Sequence, residues 1–170
     1  MKQALLTAFE RDISTCIIET SEEIIEVYEG SDFRSYIKTE SEHPSHFKLN
    51  NQTSQSLTFG ALDNCILSSA DPSRCDFMIG NFNKLFLVEI KDVKTNQRSA
   101  AKNTAIEQLK STIGLLKEKI NLVETSLSAV ICIVGKTEVH PMATAAKSAK
   151  RVEFKETHGA DLLEGQSADF

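Results

Sequence analysis

Apolar positions recur every three to four residues at the start of the chain: Leu5, Leu6, Phe9, Ile13, Cys16, Ile17, Ile24 and Val27. That spacing marks one face of an amphipathic helix and predicts a helix over 2–29, with Gly30 placed to end it. Glu19, Glu22, Glu23, Glu26 and Glu29 fill much of the remaining surface and read as a solvated face; the alternative is that one of them turns inward toward a metal site. Residues 31–56 are polar and weakly periodic, which predicts a loop with short pieces of structure. From 57 onward the signal is that of strands: Leu57-Thr58-Phe59, Cys65-Ile66-Leu67 and Cys75–Ile79. Asp71-Pro72-Ser73-Arg74 is turn chemistry, and Gly80-Asn81-Phe82-Asn83 reads as a hairpin turn. Leu85–Ile90 is apolar except for Glu89, as suits a strand covered on both faces. Ala101, Ala105, Ile106, Leu109, Ile113, Leu116 and Ile120 mark the buried stripe of a second helix over Ser99–Lys119. Leu127–Val134 reads as a strand closed by Gly135, 142–150 as a helix, Val152–Phe154 as a short strand, and 159–170 as a frayed tail.

This order predicts an α/β fold of the α+β kind: a mixed sheet with a helix on each face, in one domain over 1–170 with its core at about 2–155. No apolar run approaches the roughly 20 residues of a membrane span. The N-terminal stretch reaches Glu10-Arg11-Asp12 too soon for a signal-peptide apolar region, so a cytoplasmic protein is expected. At 41% hydrophobic and 25% charged over 170 residues, wholesale disorder is excluded. Cys16, Cys65, Cys75 and Cys132 are scattered without a CxxC pair, and in a reducing cytosol they are expected as free, mostly buried thiols. His43 and His46 flank Pro44 with no third ligand nearby in sequence, and read as loop histidines rather than a metal pair. Gly135-Lys136-Thr137 resembles the end of a phosphate-binding loop, but position 130 is Val130 where that loop needs glycine.

Charge alters the picture. The net charge of -5 argues mildly against a nucleic-acid partner, yet it is unevenly distributed. Residues 1–83 carry 6 Lys and Arg against 13 Asp and Glu, residues 84–155 carry 13 against 7, and residues 156–170 carry none against 4. Lys91, Lys94, Arg98, Lys102, Lys110, Lys117 and Lys119 lie on or just before the second helix, and Lys147, Lys150 and Arg151 form a later cluster. They suit either a solvated face or phosphate contacts.

One constellation carries chemistry. Asp76 starts a short strand, and Glu89 interrupts an apolar one just before Lys91. Residues two apart in a strand share a face, so Glu89 and Lys91 point the same way. A hairpin between the two strands brings Asp76 beside Glu89, so two carboxylates and an ammonium converge at a sheet edge. Carboxylates side by side repel, and a divalent cation removes that repulsion; hard oxygen ligands suit Mg²⁺ or Mn²⁺. Such an ion acidifies water and polarises a phosphoryl oxygen. Lys91 is suited to orient or deprotonate the attacking water and to stabilise developing charge. The bland alternative is a simple Glu89–Lys91 ion pair, worth about 0–1 kcal/mol if exposed.

The stretch Cys75-Asp76-Phe77-Met78-Ile79, followed by Leu87-Val88-Glu89-Ile90-Lys91-Asp92, resembles the PD-(D/E)XK nuclease superfamily, the restriction-endonuclease-like fold. The family's core of helix, three strands, helix and strand is similar to the order expected over 2–134. Resemblance implies Asp76 and Glu89 as metal ligands with the Ile90 carbonyl as a third, Lys91 as catalytic lysine, and Gln108 on the following helix as an active-site member. It also implies a helping glutamate on the first helix, for which Glu19 and Glu23 are the candidates by position. The chain departs from the family pattern in carrying Cys75 at the proline of the first motif, and Thr112 where one branch has tyrosine.

The expectation is therefore a Mg²⁺- or Mn²⁺-dependent nuclease acting on nucleic acid, DNA rather than RNA, in repair, recombination, restriction or defence. Its size suggests low sequence specificity, a homodimer or a partner subunit. The alternative is a catalytically inactive nuclease fold serving as an interaction subunit, docking its acidic first helix on a basic partner. A weaker third reading is a small regulatory domain with an accidental Glu-x-Lys.

Overall fold

A computed structural model describes residues 1–9, 12–39, 41, 43–68, 71–135 and 145–170. The expected 2–29 helix is replaced by a short helix and two strands. Helix α1 (Lys2–Ala8) ends early, and β1 (Ile17–Thr20) and β2 (Ile24–Glu29) follow. The cause is local. Asp12 Oδ1 accepts hydrogen bonds from the Ser14 N–H and hydroxyl (3.0 and 2.6 Å), a side-chain turn that competes with helix. Beyond it the β-branched pairs Ile17-Ile18 and Ile24-Ile25 favour extended backbone. The expected loop contains β3 (Ser35–Ile37) and β4 (Phe47–Asn50).

Strand β5 (Leu57–Ala61) leads into an irregular turn at Leu62–Ile66, where a strand was expected at Cys65–Leu67 and Asn64 adopts φ 54°. Then come β6 (Phe77–Gly80), β7 (Lys84–Lys91), helix α2 (Arg98–Lys119) and β8 (Ser126–Ile133). Helix α3 (Ala145–His158) takes in Val152–Phe154, expected as a strand. The expected frayed tail forms β9 (Ala160–Glu164) and β10 (Ser167–Asp169). Lys136 and Thr137 of the phosphate-loop-like tripeptide, the expected helix start at 142–144 and the Lys147 side chain lie outside the described residues.

Six strands form one sheet in the order β1-β5-β6-β7-β8-β9, and four form another in the order β10-β4-β2-β3. In the larger sheet β1, β5, β6 and β7 are successively antiparallel, whereas β8 is parallel to β7 and β9 to β8. Alternate residues of β7 serve two cores. Leu85 and Leu87 pack with Leu5, Leu109, Ile113 and Phe154, drawn from all three helices. Phe86, Val88 and Ile90 pack with Ile25, Val27, Phe47 and Leu49 of the smaller sheet. The mixed α+β character holds, but a helix on each face does not: the helices supply one core, and a second sheet covers the other face. Among the described residues, no helix is long and apolar enough to cross a membrane.

Cysteine pairing also departs from expectation. Cys16 and Cys65 form a disulfide across a Cα–Cα distance of 5.6 Å, while Cys75 and Cys132 are free and buried. The expected reducing compartment thereby loses the argument from four free thiols.

Candidate active site

The β6–β7 hairpin turns on Gly80, whose φ of 153° leaves no room for a Cβ: one would sit 2.2 Å from the Lys84 carbonyl oxygen. This turn sets the register that pairs Phe77 with Val88. Asp76 is the next residue outward. Its N–H donates to the Val88 carbonyl at 3.1 Å, so it lies opposite Glu89. The Asp76 Oδ2 accepts the Ile90 N–H at 2.5 Å, and its own carbonyl accepts the Leu62 and Asp63 N–H groups at 2.8 and 3.2 Å. The carboxyl group is thus held by β7 and the backbone beneath it by the irregular turn after β5, with Asp76 only 6% exposed.

Glu89 is 1% exposed. Its Oε1 lies 2.5 Å from Lys91 Nζ, whereas its Oε2 is buried without a hydrogen-bond partner. Lys91 also donates to Gln108 Oε1 at 2.9 Å, and Gln108 Nε2 donates to the Arg74 carbonyl at 2.9 Å. One turn further along α2, Thr112 accepts the Cys75 N–H at 2.8 Å and donates to the Gln108 carbonyl at 2.9 Å. Helix α2 is therefore pinned to Arg74 and Cys75, the residues that lead through Asp76 into β6. Asp76, Glu89, Lys91 and Gln108 come together at the ends of two central strands beneath α2, rather than at a sheet edge. The Ile90 side chain points into the other core, and its N–H is taken by Asp76.

Electrostatics follow from burial. Loss of water pushes the Glu89 carboxyl up to about 7, although the Lys91 charge pulls the other way. Burial, then the neighbouring Glu89 charge, hold Asp76 well above the usual carboxylate range. Further carboxylates contribute to the same field. Asp63, gripped by Arg74 Nε at 2.6 Å, raises Glu89, and Glu29 raises both members of the pair.

The expected helper glutamates stand elsewhere. Glu19 is exposed on β1, 3.7 Å from Lys2, and Glu23 is exposed in the turn before β2. Glu29, at the end of β2, takes the neighbouring position. A period of two would have placed it on the inward face with Ile25 and Val27. Asp63 left no such signal, because an irregular turn delivers it. His46 Nδ1 accepts the Glu29 N–H at 3.1 Å, and His43 stacks on Tyr28.

Several cations are already engaged: Lys102 with Glu164 at 2.8 Å, Lys110 with Glu107 at 2.9 Å, and Lys117 with the His158 carbonyl at 2.6 Å. Among the described residues, no group of three or more His, Cys, Asp or Glu side chains is arranged to hold a metal ion. Comparison with known proteins finds no family model, no curated protein and no solved structure that matches the chain.

Proposed function

We propose that the chain is a Mg²⁺- or Mn²⁺-dependent nuclease with a restriction-endonuclease-like core, hydrolysing phosphodiester bonds in DNA rather than RNA. The observation that carries this reading is Glu89: a buried carboxylate, opposite a second buried carboxylate, with one oxygen that no donor satisfies. Leaving a charged group in that state costs several kcal/mol. The order of β5, β6 and β7 as an antiparallel meander, then α2 and a parallel β8, supports the same reading.

The residues fit a hard cation in kind. Asp76 and Glu89 would supply two side-chain oxygens and the Ile90 carbonyl a backbone one, with water completing the shell. When bound, the ion supplies Lewis-acid charge to phosphoryl oxygens and makes water more acidic. The Asp76 carboxyl, fixed by the Ile90 N–H, keeps the two acids in register. Lys91 shares the Glu89 face and positions its ammonium for the nucleophile and the developing negative charge. Gln108 holds that amine from the helix, and the Arg74 carbonyl holds Gln108.

The test is incubation with plasmid, linear and single-stranded DNA and with RNA, in Mg²⁺, Mn²⁺ or EDTA. Metal-dependent cleavage falling at least ~10²-fold in both Glu89→Gln and Lys91→Ala supports the proposal. Cleavage unchanged by both substitutions sinks it. The 2.5 Å Lys91–Glu89 contact favours one rival reading, an inactive fold in which a structural ion pair replaces the metal. That rival predicts no cleavage under any condition. It has lost its acidic docking helix, since Glu22, Glu23, Glu26 and Glu29 belong to a turn and a strand.

A further inference from the structure

A trough of about 960 Å³ opens between the start of α2, helix α3 and strands β8 and β9. Arg98, Lys102, Lys150 and Arg151 line its sides, and Ile106 and Leu162, on the helical face of the larger sheet, contribute apolar floor. Arg98 Nε is buried without a partner. Among the described residues, no carboxylate pairs with Arg98, Lys150 or Arg151, whereas Lys102 is held by Glu164. Glu164, which holds Lys102, and Asp169 also line the trough, but the cations outnumber them, so the net positive charge suits an anionic occupant. Helix α2 is entered through a tight turn at Thr95–Gln97, where the Thr95 carbonyl accepts the Arg98 N–H, and its first turn holds no acidic residue, so the positive end of the helix dipole is not neutralised there.

Position links the trough to the candidate site. Thr95, on its rim, follows Lys91 by four residues, so the two Cα atoms lie within about 14 Å. Cations on the sides and an apolar floor match a chain of phosphates carrying flat, largely apolar bases. A trough of about 960 Å³ has room for a few nucleotides of one strand, whereas a duplex would present it with a single backbone and no exposed bases. We propose that it receives a single-stranded segment of nucleic acid, with phosphates on Arg98, Lys150 and Arg151 and bases on the floor, so that the chain acts on single strands or on strands leaving a duplex. The identity of this occupant rests on the nuclease reading above.

The test separates binding from cutting. Anisotropy of a short labelled oligothymidylate is measured in EDTA against its duplex form, over a range of salt. The expected result is tighter binding of the single strand. The Lys150→Glu/Arg151→Glu double variant should bind at least about tenfold more weakly, with the salt slope reduced by about 1.4, two phosphate contacts having been lost. Arg98→Met keeps the aliphatic stem and should weaken binding in the same direction. Melting curves confirm that each variant is folded. Equal affinity for duplex, equal affinity for polyglutamate, or variants that bind like the wild type would overturn the proposal. Binding in EDTA is read without any cleavage. Unaltered cutting by Glu89→Gln would therefore remove the nuclease reading while the binding data still decide the trough.

Discussion

Glu89 shares one oxygen with the Lys91 amine and leaves the other buried without a donor. Its carboxyl, near 7 in the folded chain, ionises near 4.3 when unfolded. Between those values the folded state holds the extra proton, so stability is greatest at the acidic end and is lost as pH rises through the window. Asp76 is raised by the same burial and acts with the same sign. In EDTA the melting temperature should therefore fall between pH 5 and pH 8, and Glu89→Gln should remove much of that fall. Mg²⁺ should stabilise the wild type more at pH 8 than at pH 5, because its ligands must be ionised. A flat metal-free profile would contradict the account. Thr112 offers a second test, because it is fully buried and is the acceptor for the Cys75 N–H. Thr112→Val should cost about 1–3 kcal/mol by stranding that donor, and Thr112→Ser much less, as denaturant titration would show. The Asp76, Glu89 and Lys91 positions were legible because a charge inside an apolar strand stands out. Glu29 was hidden because a helical period was read where the strand period of Ile25, Val27 and Glu29 applies, and Asp63 by the irregular turn that carries it.

Elements with one unmistakable period were legible: α2, β7, β8 and the β6–β7 hairpin lie close to their expected bounds. The first 29 residues were not, because apolar positions at 5, 9, 13, 17, 24 and 27 satisfy a helical stripe while Ile25 and Val27 also satisfy strand alternation. The Asp12 turn and β-branched neighbours decide between them. This reassignment creates the Cys16–Cys65 link, which ties the approach to β1 to the irregular turn after β5. That turn also contacts the Asp76 carbonyl through Leu62 and Asp63. With a sequence separation of 49, loss of the link should cost up to about 4 kcal/mol on the chain-entropy account. Cys16→Ser/Cys65→Ser and thiol reduction of the wild type should lower the melting temperature by similar amounts. A reductant effect that persists in the double variant would contradict this assignment.

On the scale of the whole molecule, the central sheet lies between a helical core and a second sheet. Phe47 of the smaller sheet is fully buried and meets Phe77 of the larger edge-on at 5.7 Å. Phe47→Ala should cost about 3–5 kcal/mol, and secondary-structure and core probes should still report one coincident unfolding transition. Separate transitions would mean that the two sheets unfold independently. The α2 stripe, the apolar strands, the hairpin turn and the shared face of Glu89 and Lys91 follow from residue order alone, because these depend on the period and turn chemistry of neighbouring residues. It took the folded chain to reveal that a sheet rather than a helix covers the second face, that Cys16 meets Cys65, that Gln108 reaches Lys91, and that Arg98, Lys150 and Arg151 share a trough. Those outcomes depend on register and packing between distant segments, for which a local pattern carries no information.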